Sequence, residues 1–293
     1  MKWIASAAFG LEGQTMRDLK RLGAANAQTM NVGGATFEGD FSLAFAANLW
    51  LRTADRVLLV AAEFEARSFK ELFNAVKAIE WERYIPVDGR FPVRARCVRS
   101  QLSESDTQSI VKKAIVERLK EVYHVEWFAE TAATVAIDVH IRNDHVTIGL
   151  DSSGAPLSKR GYRTWNGEAP IRETLAAGLV LASGWHPWQP LIDPCCGTGT
   201  LLIEAAFIAL ARAPGLRREF DMEKWAFVDR AALDAVRREV QSRYDSSAAR
   251  QIRISGSDID PEALELARRH IRQAGLANRI VLEQRDLRDL HPT

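Results

Sequence analysis

A short apolar strand, a glycine-rich turn and a long apolar helix follow one another over residues 191–210, and this succession constrains the fold more than any other feature. Residues 191–192 form the apolar run, and Gly197 and Gly199 allow backbone angles that other residues avoid. The predominantly Leu, Ile and Ala run over 201–210 has helical length. A helix that begins directly after such a turn points its free N–H groups at whatever lies above the strand end. The turn is therefore predicted to bind a ligand in an α/β domain.

Three ligand classes use a loop of this kind, and the spacing of its residues distinguishes them. A phosphate-binding P-loop ends in Gly-Lys-Ser or Gly-Lys-Thr, and this loop has no lysine. A dinucleotide-binding loop requires a third glycine three residues after the second, and Leu202 occupies that position. Neither of these two classes fits, which leaves the third.

The loop resembles the S-adenosylmethionine loop of class I methyltransferases, in the version carried by amino-group RNA and DNA methylases. The resemblance implies that the glycines let the backbone approach the amino acid part of the cofactor. It also implies that the acid at the strand end reaches the cofactor ammonium, directly or through water. The cofactor contacts assigned in this way are Asp193, Pro194, Cys195, Cys196, Gly197, Thr198, Gly199 and Thr200.

Two later strands also end in an acidic residue. In the family, an acid after the second strand accepts hydrogen bonds from the ribose hydroxyls, which assigns Asp258 and its neighbour Ile259 to the cofactor site. The acid after the third strand meets the adenine amino group, which assigns Asp286 and its neighbour Leu287. Acids at three consecutive strand ends lie along the edge where open α/β sheets bind ligands.

The first 150 residues alternate between strand and helix patterns. Strands are predicted over 1–8, 56–61, 91–98, 135–141 and 146–150, and helices before Gly23, over 41–50, from Ser68 to Ile79 and from Ser105 onward. The series resembles a THUMP RNA-binding domain behind a small ferredoxin-like extension, and the start Gly10-Leu11-Glu12 strengthens the match. The predicted fold class is an α+β ferredoxin-like/THUMP region followed by a partial Rossmann-like α/β domain. The predicted domains are 1–42 (ferredoxin-like), 43–150 (THUMP) and 151–293 (methyltransferase).

Basic residues are concentrated in one part of the THUMP-like region. Residues 90–113 hold six Lys or Arg against two acids, Glu104 and Asp106, a local excess of four. A net charge of +1 excludes a chain whose whole surface attracts nucleic acid, so RNA must be held by local patches of this kind. An ordinary solvated face of the strand and helix explains the same charge cluster equally well. The predicted RNA contacts are Arg94, Arg96, Arg99, Lys112 and Lys113.

The segment between the two halves has a signature of its own, the sequences Arg160-Gly161-Tyr162-Arg163 and Pro170-Ile171-Arg172-Glu173-Thr174. It resembles the segment before the cofactor loop in THUMP-linked methyltransferases of the large-subunit rRNA guanine-N2 family, where it closes over the cofactor pocket. The alternative is ordinary helix-start chemistry, with Pro170 in the first turn. The resemblance makes Glu173 and Thr174 candidate pocket walls, and makes Lys159, Arg160, Tyr162 and Arg163 candidate RNA or pocket contacts.

The resemblance is incomplete at the catalytic motif. Amino-group methylases carry an Asn/Asp-Pro-Pro-Tyr/Phe motif after the fourth strand, and the 293 residues contain no such tetrapeptide. The motif accepts the amino hydrogens and stacks on a base taken out of its helix, so without it no catalytic residue is assigned. We therefore expect the chain to be truncated and its first methyltransferase strand to lie at an exposed sheet edge.

Cysteine, histidine and tryptophan give weaker indications. Three cysteines without a signal peptide favour a reduced cytoplasm, and no segment has the length of a membrane span. Cys196 is predicted to be a packing residue rather than a nucleophile, and the six histidines show no metal-site spacing, so no metal is expected. Candidates for stacking near the pocket are Trp165, Trp185 and Trp188.

The sequence thus predicts an S-adenosyl-L-methionine-dependent RNA methyltransferase of the THUMP-linked guanine-N2 type, with large-subunit rRNA as the preferred substrate. A tRNA guanosine is the alternative substrate. A module that binds RNA and cofactor without transfer is the alternative from another class. DNA adenine methylases share the loop, but the THUMP-like half argues against them.

Overall fold

The computed structural model describes residues 1–163 and 170–290, so the predicted stacking residue Trp165 lies outside the described residues. The N-terminal half consists of β1 (Lys2–Ala7), α1 (Glu12–Arg21), β2 (Gln28–Thr29), β3 (Gly34–Glu38), α2 (Phe41–Trp50), β4 (Ala54–Glu65), α3 (Phe69–Lys77), β5 (Val93–Val98), α4 (Glu104–Tyr123), β6 (Ile137–Arg142) and β7 (His145–Asp151).

These strands form one seven-stranded sheet in the order β2-β3-β1-β4-β7-β6-β5. Only β5 and β6 pair in parallel, and the other neighbours are antiparallel. The long strand β4 pairs with β1 along its first half and with β7 along its second half. A single sheet therefore runs through the predicted ferredoxin-like and THUMP parts, which confirms the α+β character of this half.

The C-terminal half consists of α5 (Glu173–Ala182), β8 (Leu191–Asp193), α6 (Thr200–Ala209), α7 (Arg230–Ser247), β9 (Ile254–Asp258), α8 (Pro261–Gln273) and β10 (Val281–Gln284). Its three strands are parallel and ordered β10-β9-β8. Strand β8 lies at the edge of the described sheet, and its Ile192 is 54% exposed, which confirms the expected exposed edge. Asp260 caps α8, as its position before Pro261 predicts, by accepting a hydrogen bond from the backbone N–H of Glu262 at 2.8 Å.

The segment between α6 and β9 joins the two halves. Its side chains Phe220, Met222 and Trp225 are buried in the core of the N-terminal half. The Trp225 indole N–H donates to the backbone carbonyl of Thr134 at 3.1 Å, and the ring of Phe220 meets that of Phe45 edge-on at 5.7 Å. This apolar contact fixes the ligand-binding half against the N-terminal sheet.

No helix among residues 1–163 and 170–290 has both the length and the apolar character needed to cross a bilayer.

Candidate functional site

The glycine loop is tied to strand β9 on one side and to helix α8 on the other. The backbone N–H of Cys196 donates to the carbonyl of Ser257 at 2.9 Å. Gly197 and Gly199 have φ angles of +50° and +79°, in the left-handed region. A side chain on Gly199 would place its Cβ 3.2 Å from the Cβ of Ala267. The backbone angle thus favours glycine at both positions, and close packing against Ala267 favours it at Gly199 as well.

The Asp258 carboxylate at the end of β9 holds the loop from below. Its Oδ2 accepts a hydrogen bond from the backbone N–H of Gly197 at 2.8 Å, and its Oδ1 accepts one from that of Asp260 at 3.0 Å. The Asp193 carboxylate at the end of β8 accepts one from the backbone N–H of Cys195 at 3.2 Å. Both acids therefore shape backbone at adjacent strand ends while keeping further oxygen lone pairs for a ligand.

Asp193 and Asp258 form a negatively charged site. Neither makes an ion pair with any residue in the described ranges. Burial raises the pKa of the Asp193 carboxyl, and the nearby negative charge of Asp258 raises this pKa further. Two neighbouring carboxylates without a basic partner favour a positively charged ligand over a phosphate.

The third acid of the site, Asp286, lies just beyond the end of β10. The backbone N–H of Arg285 donates to the carbonyl of Asp258 at 3.1 Å, so the ends of β9 and β10 are joined. Asp286 accepts hydrogen bonds from the backbone N–H of Arg288 at 2.9 Å and from its guanidinium, which lowers the pKa of the Asp286 carboxyl. Ile259 and Leu287 follow the ends of β9 and β10 and are 64% and 52% exposed, so both side chains are accessible at this edge.

The geometry of this edge fits S-adenosylmethionine, which has a cationic amino acid end, a ribose and an adenine ring. The paired carboxylates suit the ammonium and the hydroxyls. A Cβ on Gly197 would meet no atom within 4 Å, so the loop backbone there is open to a ligand. The exposed apolar side chains Ile259 and Leu287 suit a flat ring. The predicted residues Asp193, 194–200, Asp258 and Asp286 are thus brought to one edge of the sheet.

Cys196 lies behind the loop as a packing residue. Burial, together with the nearby negative charges of Asp193 and Asp258, raises the pKa of its thiol to about 12. A side chain on Gly256 would place its Cβ 2.9 Å from the Cβ of Cys196 and 2.4 Å from Cδ1 of Leu202. Strand β9, Cys196 and helix α6 therefore pack too closely for Cys196 to reach a substrate.

We expect iodoacetamide to alkylate Cys195 in the folded protein and to leave Cys196 unmodified. Cys195 is exposed, whereas Cys196 is buried and its high pKa leaves almost no reactive thiolate at pH 8. Tandem mass spectrometry of the peptide that contains both residues measures the two sites separately, and denatured protein provides the control in which both react. Equal rates at the two cysteines in the folded protein would contradict the packing role.

Two of the predicted RNA contacts in the joining segment are corrected by their burial. Arg160 is 6% exposed and its guanidinium donates to the backbone carbonyl of Leu157 at 2.6 Å. It also lies 3.5 Å from the Glu204 carboxylate, which accepts a hydrogen bond from the buried Tyr162 hydroxyl at 3.1 Å. Arg160 and Tyr162 therefore cannot contact RNA in this structure, because both side chains point into the protein.

The other candidate residues of this segment differ in exposure: one is open to solvent, and three contact protein neighbours behind the loop. Lys159 is exposed. The Arg163 guanidinium donates to the hydroxyl of Thr200 at 2.7 Å and lies 3.5 Å from the Glu173 carboxylate. Thr174 is buried and its hydroxyl donates to Asp55 at 3.4 Å. Glu173 and Thr174 thus lie behind the loop, with their polar atoms engaged by protein neighbours.

The basic residues of the THUMP-like region separate in the same way. Arg94 donates to both carboxylate oxygens of Asp138 at 3.0 and 2.8 Å and to the buried Asp151 at 2.7 Å. Lys112 pairs with Glu130 at 2.9 Å. Arg94 is therefore engaged by two carboxylates, although its side chain remains 42% exposed, and its contact with phosphate stays a prediction. Of the five predicted contacts, Arg96, Arg99 and Lys113 are exposed and form no ion pair with the described residues.

Sequence reasoning missed a buried charged cluster behind the site, formed by Arg52, Arg160 and Glu204. Glu204 lies within the apolar helix α6 and is fully buried. Arg52 is also buried and donates to the backbone carbonyl of Arg212 at 2.9 Å. A single acid in an otherwise apolar helix was the available signal, because a buried charge requires a partner.

The described residues contain no group of three or more His, Cys, Asp or Glu placed to hold a metal ion.

Three family models match the chain. They are an RlmL ferredoxin-like domain over residues 2–58, a THUMP domain over 66–151 and an RMKL-like methyltransferase domain over 160–293.

Individual proteins match over nearly the whole chain. The chain is 42% identical to "Putative RNA methyltransferase YpsC" of Bacillus subtilis (strain 168), with 98% of this chain and 74% of that protein covered. A structure from Listeria monocytogenes str. 4b F2365, described as a "predicted N6-adenine-specific DNA methylase", matches with a TM-score of 0.93 and 43% identity over 99% of this chain and 76% of that one. SMU.472, described as "a putative methyltransferase complexed with SAH", matches with a TM-score of 0.93 and 40% identity over 99% of this chain and 77% of that one.

Proposed function

The chain belongs to the family of methyltransferases that combine an RlmL ferredoxin-like domain, a THUMP domain and an RMKL-like methyltransferase domain, and we propose that it methylates the exocyclic N2 of a guanosine in large-subunit (23S) rRNA. S-adenosylmethionine is the methyl donor of this family, and it supplies an electrophilic methyl group on a sulfonium centre. The cofactor part of the proposal is supported by the edge where the loop 193–200, Asp258 and the end of β10 meet without a basic partner for Asp193 or Asp258. The RNA part is supported by the THUMP domain, and the choice of guanosine and of 23S rRNA follows the resemblance of the joining segment.

We propose that this edge holds the cofactor through residues at three strand ends. Asp193 receives the ammonium group, the backbone of 194–200 surrounds the amino acid part, and Asp258 accepts the ribose hydroxyls. Asp286 receives the adenine amino group in exchange for part of its contact with Arg288, between the exposed side chains of Ile259 and Leu287. The low-dielectric, negatively charged end of the site favours a cationic ligand.

RNA is proposed to bind through the exposed basic residues that remain after the corrections above. These are Arg96, Arg99, Lys113 and Lys159. Each phosphate contact that forms releases counterions, so binding should weaken steeply with salt. The presence of a THUMP domain, which is an RNA-binding domain, favours RNA over the DNA named for the Listeria structure.

A transfer assay with methyl-labelled S-adenosylmethionine tests the proposed substrate. Because residues 1–293 hold no catalytic tetrapeptide, the assay uses the protein encoded by the whole reading frame. It is incubated separately with unmodified 23S rRNA, with unmodified tRNA and with DNA, and the nucleosides are separated by mass spectrometry. Labelled N2-methylguanosine from 23S rRNA is expected. Label in tRNA alone would favour the alternative substrate, RNA binding without transfer would favour the non-catalytic module, and N6-methyladenine in DNA would overturn the proposal.

We expect Asp193→Asn to weaken cofactor binding by about tenfold, through loss of a charge-assisted contact, without lowering the Tm of the free protein at neutral pH. Because the pKa of Asp193 is raised in the folded state, its ionised form opposes folding. The stability that this group contributes is present below its unfolded pKa and is lost as pH rises through its folded pKa. The asparagine variant should therefore match or exceed the wild-type Tm near pH 7, and this advantage should disappear in acid.

Thermal unfolding with and without S-adenosylmethionine, from about pH 3.5, below the unfolded pKa of aspartate, to about pH 8, measures both effects of Asp193→Asn. The matched control is Asp229→Asn, at the N-cap of α7 and away from the loop, which should leave cofactor binding unchanged. A free Asp193→Asn protein that is less stable than wild type at pH 7 would contradict the assignment of an unfavourable charge at this position.

A further inference from the structure

Arg163 joins the starts of the two helices that lie behind the cofactor loop. Its guanidinium donates to the hydroxyl of Thr200, the first residue of α6, at 2.7 Å. It also donates to the backbone carbonyl of Ile171, just before α5, at 2.8 Å, and it lies 3.5 Å from the Glu173 carboxylate. The side chain of Arg163 is only 11% exposed, so these contacts are largely shielded from solvent.

Neither helix start has a cap of its own. The N-cap residues Arg172 of α5 and Gly199 of α6 make no side-chain hydrogen bond to their helices. A Ser, Thr, Asp or Asn at the N-cap normally fixes the first turn of a helix. The hydrogen bonds from Arg163 are side-chain contacts made at both of these helix starts.

The position of Arg163 is unfavourable for stability alone. A cation next to the N-terminus of α6 opposes the positive end of the helix dipole, which favours anions. The buried Nε of Arg163 also has no hydrogen-bond partner among the described residues, which costs further free energy. The two hydrogen bonds and the Glu173 carboxylate offset these costs, and both bonds end on backbone or hydroxyl groups at helix starts, which points to a positioning role.

We propose that Arg163 is a positioning residue of the cofactor site. By holding Thr200 and the start of α5, it fixes the back of the loop 194–200 in the shape that receives the amino acid part of the cofactor. Its charge also adds to the positive potential of the α6 N-terminus, which suits the carboxylate of that part. This inference rests on the proposed cofactor site, but the effect on the loop itself exists in the free protein.

Three variants separate this role from a general loss of packing. Arg163→Met removes the donors and keeps the aliphatic length, Arg163→Lys keeps the charge without the forked geometry, and Thr200→Val removes the acceptor at constant volume. Arg118→Met is the matched control, because it breaks an arginine–carboxylate pair with Glu82 far from the loop.

Two measurements are made on each variant. Hydrogen exchange of the 195–200 amides is followed in the free protein, and the dissociation constant of S-adenosylmethionine is measured by calorimetry. We expect Arg163→Met and Thr200→Val each to accelerate loop exchange and to weaken cofactor binding, by about tenfold for the arginine variant. Arg163→Lys should recover part of the affinity, and Arg118→Met should change neither quantity. The double variant should be no worse than the more affected single variant, because both substitutions remove the same hydrogen bond.

Wild-type loop exchange in both Arg163→Met and Thr200→Val would overturn the proposal. Effects that simply add in the double variant would overturn it as well. If the wild-type protein binds no S-adenosylmethionine, the proposed function fails, whereas the exchange measurement still decides the role of Arg163. If Arg163→Met does not fold, Arg163→Lys and Thr200→Val carry the same test.

Discussion

Replacement of Asp258 by alanine is expected to abolish detectable binding of S-adenosylmethionine. The carboxylate of Asp258 accepts hydrogen bonds from the backbone N–H groups of Gly197 at 2.8 Å and Asp260 at 3.0 Å. The substitution therefore removes the proposed acceptor of the ribose hydroxyls and also releases the loop. Two hydrogen bonds to a charged group contribute about 1.5–3 kcal/mol each, so the affinity should fall by roughly 100-fold or more. Calorimetric titration of wild type and variant measures this loss.

Two companion variants interpret the Asp258 result. Asp258→Asn keeps an acceptor for the Gly197 N–H without the charge, and should lie between wild type and the alanine variant. Asp229→Asn, remote from the loop, should bind as wild type does. Unchanged affinity in Asp258→Ala would exclude the three strand ends as the cofactor site. A folded wild-type protein that binds no cofactor would make the RNA-binding module the better description of these residues.

The cofactor loop could be predicted from sequence because its determinants are local. The left-handed angles of Gly197 and Gly199 and the apolar run of α6 follow from neighbouring residues. The same is true of helix α2, which was predicted over 41–50 and occupies Phe41–Trp50, and of Ser68, which accepts a hydrogen bond from the Glu71 N–H as an N-cap. Local backbone preference and hydrophobic period are sufficient for features of this kind.

One local prediction was wrong by two residues. Helix α4 is capped by Ser103, whose hydroxyl accepts a hydrogen bond from the Asp106 N–H at 3.1 Å, whereas Ser105 was predicted and lies in the first turn. Ser103 and Ser105 are both followed three residues later by a side chain that can complete a capping pattern. The sequence alone does not distinguish two such candidates, because the packing of the first apolar residues decides between them.

Side-chain partners across the chain could not be predicted. Arg94 was expected to meet phosphate, but it meets Asp151, which lies 57 residues away along the chain. Arg160 resembled an exposed basic residue, but it is buried by contacts with residues as distant as Arg52. A charge pattern cannot tell a free basic side chain from a paired one when the partner is supplied by another part of the fold.

The second large effect is expected at the buried charged cluster. Arg160→Met should lower the free energy of unfolding by about 3–5 kcal/mol, because it removes one partner of a buried ion pair. Glu204 is fully buried, and its Oε2 has no hydrogen-bond partner among the described residues. After the substitution its Oε1 keeps only the hydrogen bond from the Tyr162 hydroxyl, which is 3.1 Å long in the wild type. The charge of Arg52 remains nearby but is itself buried.

The loss of stability in Arg160→Met should depend on pH, because Glu204 is titratable. Burial raises the pKa of Glu204, and the charge of Arg160 opposes that rise. The stability contributed by a carboxyl with a raised pKa is present below its unfolded pKa and is lost as pH rises through its folded pKa. Without Arg160 the pKa of Glu204 rises further, so the deficit of the variant should be small in acid and should grow toward neutral pH.

Urea unfolding at about pH 5 and pH 8 measures this deficit directly. The matched control Arg118→Met breaks a solvent-accessible pair with Glu82 and should change the stability much less than Arg160→Met does, by a similar amount at both pH values. Adding Glu204→Gln to Arg160→Met should restore part of the stability at pH 8, because the buried charge is then gone. A deficit that is equal at both pH values, and that Glu204→Gln does not reduce, would mean that Arg160 acts through packing rather than through its charge.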